Sequence, residues 1–312
     1  LKEVLAVMAL NALAGNINQP GGMWAVPAPE GPEWPDIETD ALAAEGLQKP
    51  RVDGAGGSKF PYSRFLLSRL PQVLSEGSTY AIKALLIDDA NPLYSLAGVD
   101  ALRGSFEKIP TIVSFASHMD ETAAFADYIL PNHVYLERYE DVVVTAGLKT
   151  PTIGLVQPIV DPLFNTRHVG DVLIQLAQSM AEPVASAFPW EDYQACLEDT
   201  LGDKWGTLEE AGVWTDEAFA ADPDMDFETA SGNFEFVGEA GSAVLTEATI
   251  SAEGETASYP LLLVPYDIIR LASRQVGSPP FMIKSVSDTI LKGKDSLVEI
   301  NPQTASAAGV AE

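Results

Sequence analysis

The sequence predicts an α/β fold built on an open, mostly parallel sheet with flanking helices, and three observations predict it. Ala84 to Ile87 and Thr111 to Phe115 are short, continuous apolar runs bounded by turn residues, the pattern of strands. Between them Leu96, Val99, Leu102 and Phe106 recur at helical spacing, which makes the whole a β-α-β unit. Such a crossover is parallel and nearly always right-handed, so the loops after Ile87 and after Phe115 leave the same edge of the sheet. Open α/β sheets present nucleotide sites at that edge.

The remaining elements follow in chain order. Residues 1–14 read as a buried amphipathic helix, closed by Gly15 and Asn16 and barred from continuing by Pro20-Gly21-Gly22. Pro20 to Gly57, crowded with Pro, Gly and acidic residues, is too long for a simple connection; it is either an ordered excursion across a neighbouring surface or a linker. Helical spacing returns from Tyr62 to Leu74, with Pro71 expected to kink or shorten the helix. Beyond the β-α-β unit, Asp120 in N-cap position starts a helix through Ala123, Phe125 and Ala126, and Ile129-Leu130-Pro131 begins another strand or extended piece. A helix spans Val169 to Met180. Residues 182–256 read as a peripheral acidic subregion of the same domain, with helical fragments from Trp190 to Leu201 and a strand-like Asn233 to Val237. From 257 to 312 a second domain begins: Leu261 to Val264 reads as a buried strand, Phe281 to Leu291 is mixed, and Ser296 to Ile300 is another strand.

Composition excludes several functions. With 45 acidic and 18 basic residues among 312, the formal charge of -27 repels phosphate backbones and anionic lipid surfaces, which excludes nucleic-acid binding. No apolar run approaches the ~18 residues of a membrane span. Cys196 is the only cysteine, so neither a disulfide framework nor a multi-thiolate iron–sulfur or zinc cluster can be built within these residues. The first residues lack a basic n-region, which favours a helix over a signal peptide. The absence of an initiating Met and of a tail pattern reads as a segment of a larger protein.

The chemistry-bearing loops sit after the two strands. In Asp88-Asp89-Ala90-Asn91-Pro92, Pro92 forces Asn91 toward extended geometry, leaving the amide and the carboxylates at the sheet edge. There they suit guanine ring nitrogens or ribose hydroxyls, although an ordinary Asn-Pro turn gives the same pattern. Ser114 to Thr122 feeds a helix start, which favours a phosphate or carboxylate unless Asp120 and Glu121 already satisfy it. Ser117-His118-Met119-Asp120 does not make a triad, since no G-x-S-x-G elbow accompanies it. His118, His133 and His168 lack metal-ligand spacing. Gly54-Ala55-Gly56-Gly57-Ser58-Lys59 lacks the spacing of a phosphate loop and reads as a flexible turn. Cys196, among acidic and apolar neighbours, reads as structural, and Glu137, Arg138 and Glu140 as an ion-paired cluster.

The phrases ALNALAGNINQPGGM, LLIDDANPLYS, VSFASHMDETAAFADYILPNHVYLERYED, SGNFEF and YPLLLVPY, followed by LVEINPQTASAAGVAE, occur in an order that resembles the C-terminal half of molybdopterin oxidoreductases of the dimethyl sulfoxide reductase family. The most specific part is the pattern from Glu121 to Pro131; YLERYED and GLVQPIVDPL are most similar to the polysulfide and tetrathionate reductase branch and its quinone-linked relatives. The resemblance implies a large subunit that binds molybdopterin guanine dinucleotide with molybdenum or tungsten. By motif it places cofactor contacts at Asp89, Asn91, Pro92, Ser114, Phe115, Glu121 and Thr122, with Asp127 packed beneath and Arg270 in the start of a β-barrel cap domain that opens at residue 257. It assigns no catalytic or metal-ligating residue to this segment, since the family's iron–sulfur cysteines and its metal-ligating Ser, Cys or selenocysteine lie upstream. It implies iron–sulfur and membrane-anchor partner subunits at the outer, periplasmic face of the cytoplasmic membrane, without direct membrane insertion; the acidic excess adds a basic redox partner such as a cytochrome. The rival expectation is a cofactor-free structural or electron-relay subunit of a membrane quinone-linked complex. The Asp267 to Ser273 stretch, where the family commonly shows Gly-Arg, keeps that rival open. An independent hydrolase fails for want of a nucleophile constellation.

Overall fold

The computed structural model describes residues 2–34, 39–60, 63–76, 80–96, 98–144, 147–222, 227, 229, 231–236, 255, 257–264 and 298–310. In chain order the helices are α1 (Lys2–Leu13), α2 (Ala41–Leu47), α3 (Leu70–Glu76), α4 (Pro92–Ser95), α5 (Val99–Phe106), α6 (Val169–Gln178), α7 (Tyr193–Leu201), α8 (Trp205–Ala211) and α9 (Pro302–Ala307). The strands are β1 (Leu85–Ile87), β2 (Ile112–Ser114), β3 (Tyr128–Ile129), β4 (Glu140–Val144), β5 (Thr152–Val156) and β6 (Val213–Thr215). The chain divides into two compact units, one of residues 1–39 and 133–262, the other of 40–132 and 263–312.

The second unit carries the predicted parallel sheet, in the order β1-β2-β3. Leu85 pairs with Ile112 and Ile87 with Ser114, and Val113 pairs with Tyr128, all in parallel register. Ile87, Leu93, Leu102, Phe106, Ile109 and Ile112 form its buried cluster, so the crossover helices α4 and α5 cover the sheet with the side chains whose spacing predicted them. Pro71 kinks no helix among the described residues, which exclude Tyr62. It lies in the first turn of α3, where its missing N–H has no helical acceptor to lose. Residues 123–125 form one 3-10 turn, not a longer helix, because Ala126 turns extended (φ -70°, ψ 150°) to enter β3. Asp120 still caps that turn, its Oδ1 accepting from Ala123 N at 2.7 Å.

The GAGGSK turn is pinned and not slack. Asp53 Oδ1 accepts from Arg51 Nε at 3.0 Å and from Ala55 N at 3.1 Å, and Oδ2 from Arg51 Nη2 at 3.0 Å and Leu66 N at 2.8 Å. Gly54 holds φ +77°, a backbone conformation in which a side chain is strained, and Arg69 Nη1 would have to shift to admit a Cβ there.

The first unit holds an antiparallel sheet, β4-β5-β6, which the sequence reading did not anticipate. Glu140 pairs with Val156 and Ile153 with Trp214. Its core is Ile153, Leu155, Leu197, Leu201, Trp205 and Leu208, beside a smaller cluster of Ile174, Trp190 and Cys196. The stretch after residue 182 is therefore not peripheral between Trp190 and Trp214: α7 and α8 cover the sheet. Residues 20–34 are an ordered excursion, with Glu33 N donating to Thr200 O at 2.8 Å and Trp34 edge-on to Trp190 at 6.1 Å. α1 forms as predicted but is not buried: Val4, Val7, Leu10 and Leu13 are all more than half exposed. Its apolar residues ring the helix and do not form the single stripe of an amphipathic one, the pattern of a helix covered on every side. Leu261 to Val264 is exposed and has no strand partner among the described residues, and Val298 to Ile300 likewise forms no ladder. An apolar run becomes a strand only where another strand receives its N–H and C=O groups. Phe281 to Leu291 and Val237 lie outside the described residues.

His168 gives this unit a pH dependence. It caps α6 through Nδ1, which accepts from Gly170 N at 2.9 Å, and its ring stacks on Tyr193 at 4.6 Å. Gly170 is required there, since a Cβ would meet the Tyr193 ring at 2.5 Å. Burial pushes the His168 pKa down from 6.5 to about 4, against the opposing pull of Asp171. The native state thus rejects a proton that the unfolded chain accepts, so stability is complete above pH 6.5 and is lost as pH falls toward 4. The loss is on the order of 3 kcal/mol. Urea unfolding followed across that window should show it, and His168→Asn, which keeps a capping acceptor without the titration, should flatten it; an unchanged slope would refute the assignment.

Candidate functional site at the carboxyl edge of the parallel sheet

The carboxyl ends of β1, β2 and β3 bring three loops together. After β1, Asp88 and Asp89 are exposed, and Asp89 holds a left-handed bend at φ +48°, tolerated by a short polar side chain. Asn91 follows, 1% exposed, and Pro92 opens α4. After β2, Ser114 and Phe115 are buried, with Ser114 Oγ accepting from Ala116 N at 3.3 Å and Phe115 N donating to Ile87 O at 2.9 Å. They form the floor, and residues 117–119 are the exposed rim.

The first two loops are tied side chain to side chain. Thr122 Oγ1 donates to Asn91 Oδ1 at 2.7 Å and accepts from Leu93 N at 3.1 Å, while Asn91 Nδ2 donates to Glu121 Oε2 at 2.7 Å. That last bond, more than any other influence, holds the Glu121 carboxyl below its ordinary pKa. The third loop supplies Asn132, buried, whose Nδ2 donates to Asp88 Oδ1 at 3.2 Å and whose N donates to Phe115 O at 3.2 Å.

Of the residues singled out from sequence, Asp89, Asn91, Pro92, Ser114, Phe115, Glu121 and Thr122 therefore share this edge. Asp127 does not: its Oδ2 accepts from Ile112 N at 2.7 Å, at the amino end of β2. A parallel register that pairs Ser114 with Ile129 leaves Asp127 below the strands by construction. Arg270 lies outside the described residues. Asn132 was missed; the signal available was a polar residue directly after the third strand's Leu-Pro, at the same edge.

The donor set has a definite chemistry. Loops 88–91, 115–122 and 130–132 offer carboxylate and amide groups and contain no Lys or Arg. Acceptors of this kind fit the N–H edge of a guanine or ribose hydroxyls; a pyrophosphate finds neither Lys nor Arg in these loops. Elsewhere, Cys196 is 1% exposed with its thiol pushed up to about 11 by burial, the state of a structural cysteine. Arg138 Nη2 pairs with Glu140 at 3.1 Å.

This fold and edge define an α/β module whose polar loops crown the carboxyl edge of a parallel sheet, the edge at which open α/β sheets present their ligand sites. A family model described as molybdopterin oxidoreductase matches residues 4–179, and the chain belongs to that family. Over 309 residues it is 28% identical to the menaquinone reductase molybdopterin-binding-like subunit of Nitratidesulfovibrio vulgaris, covering 99% of this chain and 39% of that protein. It is 28% identical to the thiosulfate reductase molybdopterin-containing subunit of Salmonella typhimurium, over 60% of this chain and 26% of that one. To a tetrathionate reductase subunit of the same organism it is 27% identical, over 50% and 18%. The chain thus spans 39% or less of the length of these relatives. Acetylene hydratase from Pelobacter acetylenicus shares the fold, with a TM-score of 0.57 at 18% identity over 78% of this chain and 34% of that one. Among the described residues no helix is long and apolar enough to cross a membrane.

Proposed function

We propose that this chain is the nucleotide-holding part of the large subunit of a molybdopterin-dependent oxidoreductase, and that the crown of the parallel sheet receives the guanosine end of a molybdopterin guanine dinucleotide. When bound, the cofactor's molybdenum or tungsten supplies two-electron redox chemistry for respiratory electron transfer. The residues here bind and orient: Asp89, with Asp88 beside it, accepts base or ribose protons, Asn91, Glu121 and Thr122 set the loop, and Ser114 and Phe115 floor it. Residues 257–312, with Arg270, open the cap domain. The protein works at the outer face of the cytoplasmic membrane with iron–sulfur and membrane-anchor subunits and a basic electron carrier. The observation that carries this reading is the convergence of the strand-end loops, tied by Thr122 Oγ1 to Asn91 Oδ1 at 2.7 Å, inside the segment that the family model matches.

A cofactor-free structural or relay subunit of a quinone-linked complex is the second reading. Two observations favour it: a relative that matches nearly the whole chain is named molybdopterin-binding-like, and the loops lack a Lys or Arg for a pyrophosphate. Metal analysis of the full-length protein, with mass spectrometry of acid-released nucleotide, decides between them. Molybdenum or tungsten with guanine nucleotide is the expected result, and neither would establish the second reading.

A further inference from the structure

We infer that Thr122 and Glu121 are positioning residues: with Asn91 they form a latch that locks the loop after β1 to the loop after β2, and they act on a bound nucleotide only through the shape of that loop. The inference rests on the nucleotide-holding reading for its ligand, but the latch itself stands on hydrogen-bond geometry.

The direction of every bond in the latch is fixed by its chemistry. Leu93 N can only donate, so Thr122 Oγ1 accepts from it, at 3.1 Å. The Thr122 hydroxyl then has one proton to give and places it on Asn91, at 2.7 Å. Glu121 as a carboxylate can only accept, so the Asn91 atom 2.7 Å away must be its NH2. These demands assign the Asn91 amide without ambiguity, oxygen toward Thr122 and nitrogen toward Glu121. Thr122 and Asn91 are each 1% exposed, so leaving either group unmade strands a polar atom in the interior.

The latch also explains the spacing of the residues that carry it. Asn91 follows the left-handed Asp89 by two positions, and its side chain reaches the neighbouring loop only because Pro92 and α4 hold the backbone after it. Glu121 and Thr122 are adjacent in sequence and bind the two ends of one amide, the carboxylate accepting from its NH2 and the hydroxyl donating to its oxygen. Ser95 Oγ and the Tyr94 and Ser95 N–H groups donate to the Asn91 backbone carbonyl at 2.9 to 3.1 Å, so the residue is anchored at backbone and side chain together. The consequence is that Asp88 and Asp89, three and two positions before Asn91, are presented by a loop that cannot swing independently of β2.

The test uses the full-length protein with Thr122→Val, which keeps the volume and removes both bonds, and Thr122→Ser, which keeps the hydroxyl. Amide hydrogen exchange of Leu93 and of residues 88–96, and the guanine nucleotide released per chain, are read together. Thr122→Val should raise exchange in that loop at least tenfold and lower nucleotide content, with the amides of β2 unmoved and Thr122→Ser restoring both. Lowered nucleotide with unchanged loop exchange would overturn the latch, since Thr122 would then touch the nucleotide directly. Unchanged exchange and unchanged nucleotide would overturn it too. Faster loop exchange in a protein that carries no nucleotide even as wild type would uphold the latch and refute the nucleotide reading instead. Should Thr122→Val not fold, Glu121→Ala, which removes only the exposed end of the latch, gives the same readout against Glu121→Gln, and the same outcomes decide.

Discussion

Truncating Leu197 to alanine is expected to lower the unfolding free energy of the antiparallel unit by about 3–4 kcal/mol. Leu197 is 0% exposed and stands on α7 among Ile153, Leu155, Leu201, Trp205 and Leu208, so its removal leaves a cavity walled by both the sheet and α8. The rigid packing of a β-sheet against two short helices gives little room for collapse, which puts the cost toward the upper part of the range for such changes. Urea unfolding followed by tryptophan fluorescence measures it, with Trp205 in the same cluster as the reporter. Leu197→Met, which conserves volume, should lose less than about 1.5 kcal/mol. Equal losses for the two variants would mean that packing around Leu197 is not what holds α7.

That cluster also shows what the sequence disclosed and what it hid. Leu197, Leu201, Trp205 and Leu208 follow one another at helical intervals, but α7 and α8 are separated by a break at Gly202 and diluted by acidic residues, so no long amphipathic stripe appears. The hairpin of β4 and β5 was hidden for a different reason: Gly154 interrupts its second strand, and β6 joins from 57 residues past the end of β5. Contacts of that separation leave no local period to read. By contrast the β-α-β unit was legible because every signal in it is local, from the apolar runs at Leu85 and Ile112 to the spacing of Leu102 and Phe106. At the site, the loops were legible from the strand ends and the motif, whereas the pairing of Asn91 with Thr122, 31 residues apart, was not. Sequence named the latch residues without revealing that they bind each other. Asp127, which the motif places beneath the loops, stands below the strands and accepts from Ile112 N, a contact that the motif does not reveal.

Replacing Asp53 with alanine should cost the parallel unit about 2–3 kcal/mol, chiefly through the Ala55 and Leu66 N–H groups left without their acceptor. The Arg51 guanidinium contributes less to this loss, because its side chain is 58% exposed and water can replace the partner. Asp53→Asn should retain part of the stability, since an amide oxygen can still serve one N–H. The same carboxyl sets a pH window distinct from that of His168. The hydrogen bond from Arg51, ahead of those from Leu66 and Ala55, holds the Asp53 pKa far below its ordinary 3.8. Its stabilisation is therefore present above about pH 4 and lost as pH falls further, whereas the His168 contribution has already been lost between 6.5 and 4. Acid titration followed by hydrogen exchange should accordingly loosen amides around α6 first and those around Ala55 and Leu66 only below pH 4. Simultaneous loosening of both sets above pH 4 in wild type, or an unaltered acid limb in Asp53→Asn, would show that the buried carboxylate does not govern the acid stability of its unit.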